Sequence, residues 1–135
     1  MALVQSLRNH AYKIEKFVSL AATSGTTVGV SVPAGTLVLA AGFQNTTTVP
    51  DVATYTMNIT DGTTNFASSL NFDNTAANTI KAGTTAGLIS AADTIDVVTT
   101  ISGSPGVIAG RVWAIVVDVN KAADGADEVD RDQLA

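Results

Sequence analysis

The fold is decided by the stretch Thr54-Tyr55-Thr56-Met57-Asn58-Ile59-Thr60-Asp61-Gly62 and by the run that follows it, Phe66-Ala67-Ser68-Ser69-Leu70-Asn71-Phe72. Apolar and polar side chains alternate strictly in the first seven residues, as they do along a strand with one buried face. The dipeptide Asp61-Gly62 is a strong tight-turn signal, because glycine adopts a positive φ at no steric cost. The second run places three large apolar residues on one face, Phe66, Leu70 and Phe72. The two runs together predict a β-hairpin.

Further strands are predicted on both sides of this hairpin. Residues 36–43 alternate, and the pattern places on one face Leu37, Leu39, Ala41 and Phe43. Residues 93–101 are rich in β-branched side chains, which favour strands. Residues 111–119 are apolar on both faces in their middle, as expected for a strand that is covered on both sides. Two earlier strands are predicted at residues 12–20 and 28–32.

The whole pattern amounts to about eight short strands separated by clusters of Gly, Pro, Asn and Asp. Such spacing is typical of all-β sandwiches and barrels, and it predicts a jelly-roll-like antiparallel β-sandwich. Three segments differ in composition: an N-terminal arm at residues 1–11, the β-sandwich domain at residues 12–119 and an acidic tail at residues 120–135. Because the tail has little apolar surface to bury, we expect it to be mobile.

Composition narrows the range of partners. Only 14% of the 135 residues are charged, against roughly 25% in an ordinary soluble domain, and a low-charge surface suits packing against other subunits. The net charge is -5 and the seven Lys and Arg residues are scattered, so we expect no nucleic-acid partner. No apolar run approaches the ~20 residues that cross a bilayer, and the N-terminus lacks a secretory-signal pattern. We therefore expect no membrane partner and synthesis in the cytoplasm.

Chemistry-bearing residues are sparse. The chain has no cysteine and a single histidine, His10, which precedes the first predicted strand. Asp93 and Asp96 have opposite parity on a strand, so they should not form the facing pair of carboxylates that a glycosidase needs. Residues 71–74 contain oxygen donors that suit calcium, although Asn and Asp clusters usually form turns. We expect no catalytic residue, no cofactor and no enzymatic activity.

Four stretches carry a resemblance to a known class of protein: Val32-Pro33-Ala34-Gly35-Thr36-Leu37-Val38-Leu39, Met57-Asn58-Ile59-Thr60-Asp61-Gly62, Ile89-Ser90-Ala91-Ala92-Asp93-Thr94-Ile95-Asp96-Val97 and Gly110-Arg111-Val112-Trp113-Ala114-Ile115-Val116-Val117. Through them the region from Val28 to Val119 resembles the small head decoration, or cement, proteins of tailed bacteriophages. The resemblance implies a jelly-roll-like sandwich, usually a homotrimer, on the outer capsid surface at junctions between major capsid proteins. It implies no catalytic residue.

Candidate contacts with the capsid or with another subunit come from the two ends of the chain. The arm carries apolar residues outside any predicted strand, Leu3, Val4 and Leu7, and we expect it to reach the major capsid protein or a neighbouring subunit. Trp113 has Arg111, Ile115 and Val117 as neighbours of like parity. It is a candidate contact, although burial in the core is the preferred interpretation. Two other functions stay open: a phage fibre, spike or tail subunit, and a monomeric carbohydrate-binding module.

Overall fold

The structure is a computed structural model that describes residues 10–119 of the chain. Nine strands make up most of this part. Their bounds are β1 (Tyr12–Leu20), β2 (Gly25–Val32), β3 (Thr36–Asn45), β4 (Thr54–Thr60), β5 (Asn65–Asn71), β6 (Ile80–Gly83), β7 (Gly87–Ile89), β8 (Asp93–Ser102) and β9 (Ile108–Asp118). The predicted arm lies almost wholly outside the described residues and the predicted tail lies entirely outside them, so both stay predictions.

The strands form two antiparallel sheets. Sheet A has the order β1-β9-β3-β6, with β7 also paired to β3, and sheet B has the order β2-β8-β4-β5. β6 and β7 pair with successive parts of β3, so they act as one interrupted strand, which explains why nine strands stand where about eight were predicted. The chain passes between the two sheets in a jelly-roll-like order. The predicted all-β antiparallel sandwich is therefore confirmed.

The hydrophobic core fills the space between the sheets. It consists of alternate residues of the long strands, because successive side chains of a strand point to opposite faces. The largest fully buried side chains include Tyr55, Phe43, Phe66, Phe72 and Leu20. The rings of Phe43 and Phe72 meet edge to face at 5.6 Å between centroids, a favoured aromatic geometry.

The predicted hairpin is β4 and β5. Its connection spans residues 61–64, and Gly62 adopts a φ of 94°, which explains why glycine stands there. The Asp61 carboxylate accepts hydrogen bonds from the backbone N–H groups of Thr63 at 2.8 Å and Thr64 at 2.6 Å. Asp61 is therefore a turn-forming residue, as the Asp-Gly dipeptide predicted.

The predicted inner face of β3 is wrong at its beginning. Val38, Ala41 and Phe43 are buried, whereas Leu39 is 37% exposed. The register of β3 against β9 shifts between Val38 and Ala40, so Leu39 is the extra residue of a β-bulge. A bulge inverts the inside and outside parity of a strand. The residues before it, Leu37 included, therefore point the opposite way from the sequence prediction.

Tyr55 lies at the centre of the core with none of its surface exposed. Its hydroxyl is the one buried side-chain polar atom of residues 10–119 that has no hydrogen-bond partner. Burial raises the pKa of this hydroxyl from 10.0 to about 12, because the charged phenolate would lose its hydration. Burial in the core therefore accounts for this pKa.

Tyr55→Phe is expected to leave the free energy of unfolding at neutral pH unchanged or to raise it by about 1 kcal/mol, since no hydrogen bond is lost. A tyrosine ionises near pH 10 in the unfolded chain but only near 12 in the folded one. The contribution of Tyr55 to the free energy of unfolding is therefore fully present below pH 10. It is lost as the pH rises toward about 12, because the unfolded chain releases the proton first. Denaturant midpoints measured across this range should fall faster for the wild type than for the variant. The exposed Tyr12 supplies the control Tyr12→Phe, which should follow the wild type, and parallel curves for all three proteins would contradict the prediction.

Candidate interaction surface

The outward side of sheet A carries an apolar surface. On β9 the buried residues Val112, Ala114 and Val116 alternate with half-buried residues that point away from sheet B. The register of the sheet places side chains of the neighbouring strands beside them on the same side. We call this surface the Trp113 face, and its apolar members are Phe17, Leu37, Ile80, Leu88, Trp113, Ile115 and Val117.

Trp113 is the centre of this face. It pairs with Glu15 of β1 and with Gly42 of β3, and its indole ring lies directly on Gly42. A Cβ at position 42 would clash with the Lys81 carbonyl oxygen and would come within 2.7 Å of the ring, so only glycine fits beside the tryptophan here. Beside the ring is a depression of about 220 Å³ lined by Lys13, Glu15, Gln44, Ile80, Trp113 and Ile115.

The charges on the Trp113 face compensate one another. Glu15 forms an ion pair with Lys13, with 3.4 Å between Lys13 Nζ and Glu15 Oε1. It forms a second with Arg111, with 3.8 Å between Arg111 Nε and Glu15 Oε2. The Arg111 guanidinium also lies 5.9 Å from the ring centroid of Phe17, within the range of a cation–π contact. The face thus combines apolar area with a small network of paired charges. Two cations share one carboxylate, so the net charge of the network is one positive charge.

The outward side of sheet B is different in character. Its central strands present mainly threonine, because the apolar parity of each faces the core. The outward residues of β4 and β8 are Thr54, Thr56, Asn58, Thr94, Asp96, Val98 and Thr100. All four Lys and Arg residues of the described part lie on sheet A, at positions 13, 16, 81 and 111. The outer face of sheet B is therefore polar with little charge, whereas the outer face of sheet A combines apolar area with paired charges.

Of the residues predicted as contacts, the structure tests the placement of one. Trp113 lies on the outer side of sheet A, half-buried, and so is not part of the core. Leu3, Val4 and Leu7 lie outside the described residues. The exposed apolar residues Phe17, Ile80 and Leu88 were missed by sequence reasoning, and they are 55%, 60% and 56% exposed. The apolar character of both parities in residues 111–119 indicated that the outer side of β9 is covered, but no sequence signal placed these three residues beside it.

Two of the aspartate carboxylates considered above accept hydrogen bonds from backbone N–H groups. Asp73 accepts a hydrogen bond from the Val52 N–H at 2.7 Å, and Asp96 accepts one from the Gly29 N–H at 3.2 Å. In the stretch considered for calcium, the Asn71 side-chain oxygen accepts the N–H of Asp73 at 3.0 Å. Residues 10–119 contain no group of three or more His, Cys, Asp or Glu side chains placed to hold a metal ion. In the same residues no helix has the length and apolar character that would cross a bilayer.

Comparison with known proteins gives an informative likeness among solved structures. No family model matches the chain, and no curated protein sequence matches it significantly. Among solved structures, a chain of the acidic stable capsid structure of Helicobacter pylori bacteriophage KHP30 is similar, with a TM-score of 0.53 and 13% sequence identity. The likeness covers 80% of this chain and 97% of that one. At this identity it shows a shared fold.

Proposed function

We propose that the chain is a non-enzymatic structural protein of a phage virion, and that it acts as a decoration, or cement, protein on the outer surface of the head. In this proposal the chain assembles as a homotrimer and binds the major capsid protein. The observation that carries the proposal is the similarity of its fold to a chain of a phage capsid structure. The sequence resemblance to phage head decoration proteins points in the same direction.

The surface of the described sandwich supports a role in packing against protein. One outer face is apolar and nearly neutral, which suits a contact that excludes water. The other is rich in threonine and suits exposure to solvent. A protein that binds only the assembled shell stabilises that shell by mass action, because binding lowers the free energy of the assembled state alone. Several weak contacts act together when the bound protein is an oligomer.

The capsid contact is assigned in this proposal to the N-terminal arm, with Leu3, Val4 and Leu7 as its apolar residues. β1 begins at Tyr12, so a chain without residues 1–10 keeps every described strand. Removal of residues 1–10 is expected to abolish co-sedimentation with purified phage heads and to leave the β-rich circular-dichroism spectrum unchanged. The matched control removes the acidic residues 120–135 and should co-sediment like the full chain.

The outcomes of this experiment separate the parts of the proposal. Full-length protein that fails to bind heads of any phage tested, expanded or unexpanded, would contradict the decoration role and favour a fibre, spike or tail subunit. Binding that survives removal of residues 1–10 would keep the decoration role and overturn the assignment of the contact to the arm.

The depression beside Trp113 favours a second candidate, a carbohydrate-binding module. Sugars bind to aromatic rings flanked by polar side chains, and here Trp113 has Lys13, Glu15 and Gln44 around it. Since Trp113 is the sole tryptophan of the chain, a sugar seated there should change its fluorescence in a saturable way. A panel of bacterial-surface glycans that leaves the emission unchanged would exclude this candidate.

A further inference from the structure

We propose that the free edge of β1 binds an extended segment of the major capsid protein, which pairs with β1 as an additional strand of sheet A. This pairing deepens the proposed function and rests on it, because it names the part of the fold that meets the capsid protein and the kind of segment that meets it. Three features of β1 support the pairing: its unbroken register, the direction of its backbone groups and its continuity with the N-terminal arm.

β1 is the regular edge of the described sandwich. An edge strand presents unpaired N–H and C=O groups, and bulges or short lengths normally keep such edges from pairing with another chain. β2 is bulged between Thr27 and Val30, β5 shifts register against β4 and holds Ser69 at a φ of 52°, and β6 and β7 have four and three residues. β1 has none of these devices, since all nine of its residues pair with β9 in unbroken register. An added strand therefore finds a continuous template at β1.

The backbone groups of β1 point alternately to β9 and to the open edge. In an antiparallel pair the N–H and C=O of one residue point to the same side, and successive residues point to opposite sides. On β9, Ala109 accepts a hydrogen bond from the Thr46 N–H at 2.9 Å, and at the other end Val119 donates to the Gly35 carbonyl at 2.9 Å. Odd-numbered residues of β9 therefore point to β3 and even-numbered ones to β1. The register then leaves four residues whose backbone groups point to the open edge of β1: Lys13, Glu15, Phe17 and Ser19.

The position of β1 favours the capsid protein as the occupant. β1 begins at Tyr12, directly after the N-terminal arm that is proposed to contact the capsid. A capsid segment held by the arm thus lies at the start of the open edge, and pairing can continue along β1 without a break. A second copy fits less well, because two identical edges pair about a two-fold axis, whereas the proposed homotrimer has three-fold symmetry.

The side chains of β1 define the chemistry of the capsid segment. Phe17 lies on the Trp113 face and is 55% exposed, so an apolar side chain beside it removes area from water. Lys16 has the opposite parity, is exposed, and forms no ion pair within residues 10–119. Opposite charges on neighbouring strands stabilise their pairing. The segment is therefore expected to be extended, with an apolar residue next to Phe17 and an acidic residue next to Lys16.

Proline variants test the open edge directly. The N–H groups of Lys13 and Ser19 point away from β9, so Lys13→Pro and Ser19→Pro remove a donor to an added strand and keep the hydrogen bonds between β1 and β9. Lys13→Ala and Ser19→Ala are the matched controls, since they change the same side chains and keep the N–H. In co-sedimentation with purified phage heads, each proline variant is expected to need about ten-fold more protein for half-saturation than its alanine partner. Circular dichroism and the urea midpoint check that each variant is folded.

A second measurement uses the wild type and does not depend on the variants. Amide hydrogen exchange in the free protein should alternate along β1, fast at the four residues that point outward and slow at the residues between them, because only the latter are paired with β9. When the protein is bound to heads, the four outward amides should become protected as well, since they then donate to the capsid segment.

The outcomes separate this pairing from the proposed function. A wild type that binds no phage heads would remove both. A wild type that binds heads would overturn the pairing alone if each proline variant bound like its alanine partner, or if the outward amides gained no protection. Protection of those amides in the free protein would also overturn it. Protection that rises with protein concentration would identify a second copy at the edge, and constant protection would identify the arm of the same chain.

Discussion

Phe72→Ala is expected to lower the free energy of unfolding by about 4 kcal/mol, the usual cost of truncating a buried phenylalanine. None of the Phe72 surface is exposed, and its ring packs edge to face on Phe43. Its other side is bounded by Lys81, whose Nζ lies 5.8 Å from the ring centroid. The substitution therefore removes the apolar area, the aromatic pair and the partner of a cation at one position.

The backbone around Phe72 keeps the site from collapsing to fill the cavity. The Phe72 N–H donates to the carbonyl of Tyr55 at 2.8 Å, and its own carbonyl accepts from the Thr75 hydroxyl at 2.8 Å. Urea denaturation at one fixed protein concentration measures the effect, with Tyr12→Ala as control because Tyr12 is 46% exposed. A loss for Phe72→Ala below about 1 kcal/mol, or equal to that of the control, would show that the ring does not hold the two sheets together.

The hairpin could be predicted because one physical rule governs it. A strand with one buried face needs an apolar residue at every second position, and residues 54–60 follow that rule without interruption. β8 follows it too at Ile95 and Val97, which are buried. Where the rule holds, sequence parity and structure agree, and the inward positions of Tyr55 and Phe72 follow directly from it.

The Trp113 face could not be predicted, because the alternation of apolar and polar residues along a strand does not reveal which other strands lie beside it in the sheet. Phe17 and Leu88 are far apart in sequence, and each looks like a core residue of its own strand. Only the sheet order, with β9 between β1 and β3 and with β7 on β3, places them on one surface. The bulge at Leu39 adds a second reason, since an extra residue inverts the parity of part of β3 without a local sequence signal.

Asn45 is the clearest residue that sequence reasoning missed. It ends β3 with none of its surface exposed, and its amide group is fully used. The side-chain NH₂ donates to the carbonyls of Thr47 and Ala76, both at 2.9 Å, and the side-chain oxygen accepts the N–H of Thr79 at 3.0 Å. One side chain therefore ties the end of β3 to two separate loop segments, at residues 46–49 and 74–79.

Asn45→Ala is expected to cost about 3 kcal/mol, because three partly buried backbone groups lose their partner at once and each costs about 1 kcal/mol. The control is Asn58→Ala, which removes one hydrogen bond, from the Ser69 N–H at 2.7 Å near the surface, and should cost about 1 kcal/mol or less. Asn45→Asp keeps the shape but turns a carboxylate oxygen toward two carbonyl oxygens. That repulsion should raise the pKa of the new carboxyl, so the variant is expected to regain stability as the pH falls and the carboxyl is protonated. Urea midpoints at neutral and acidic pH measure both effects. Equal losses for Asn45→Ala and Asn58→Ala would mean that the two loops hold their positions without the buried amide.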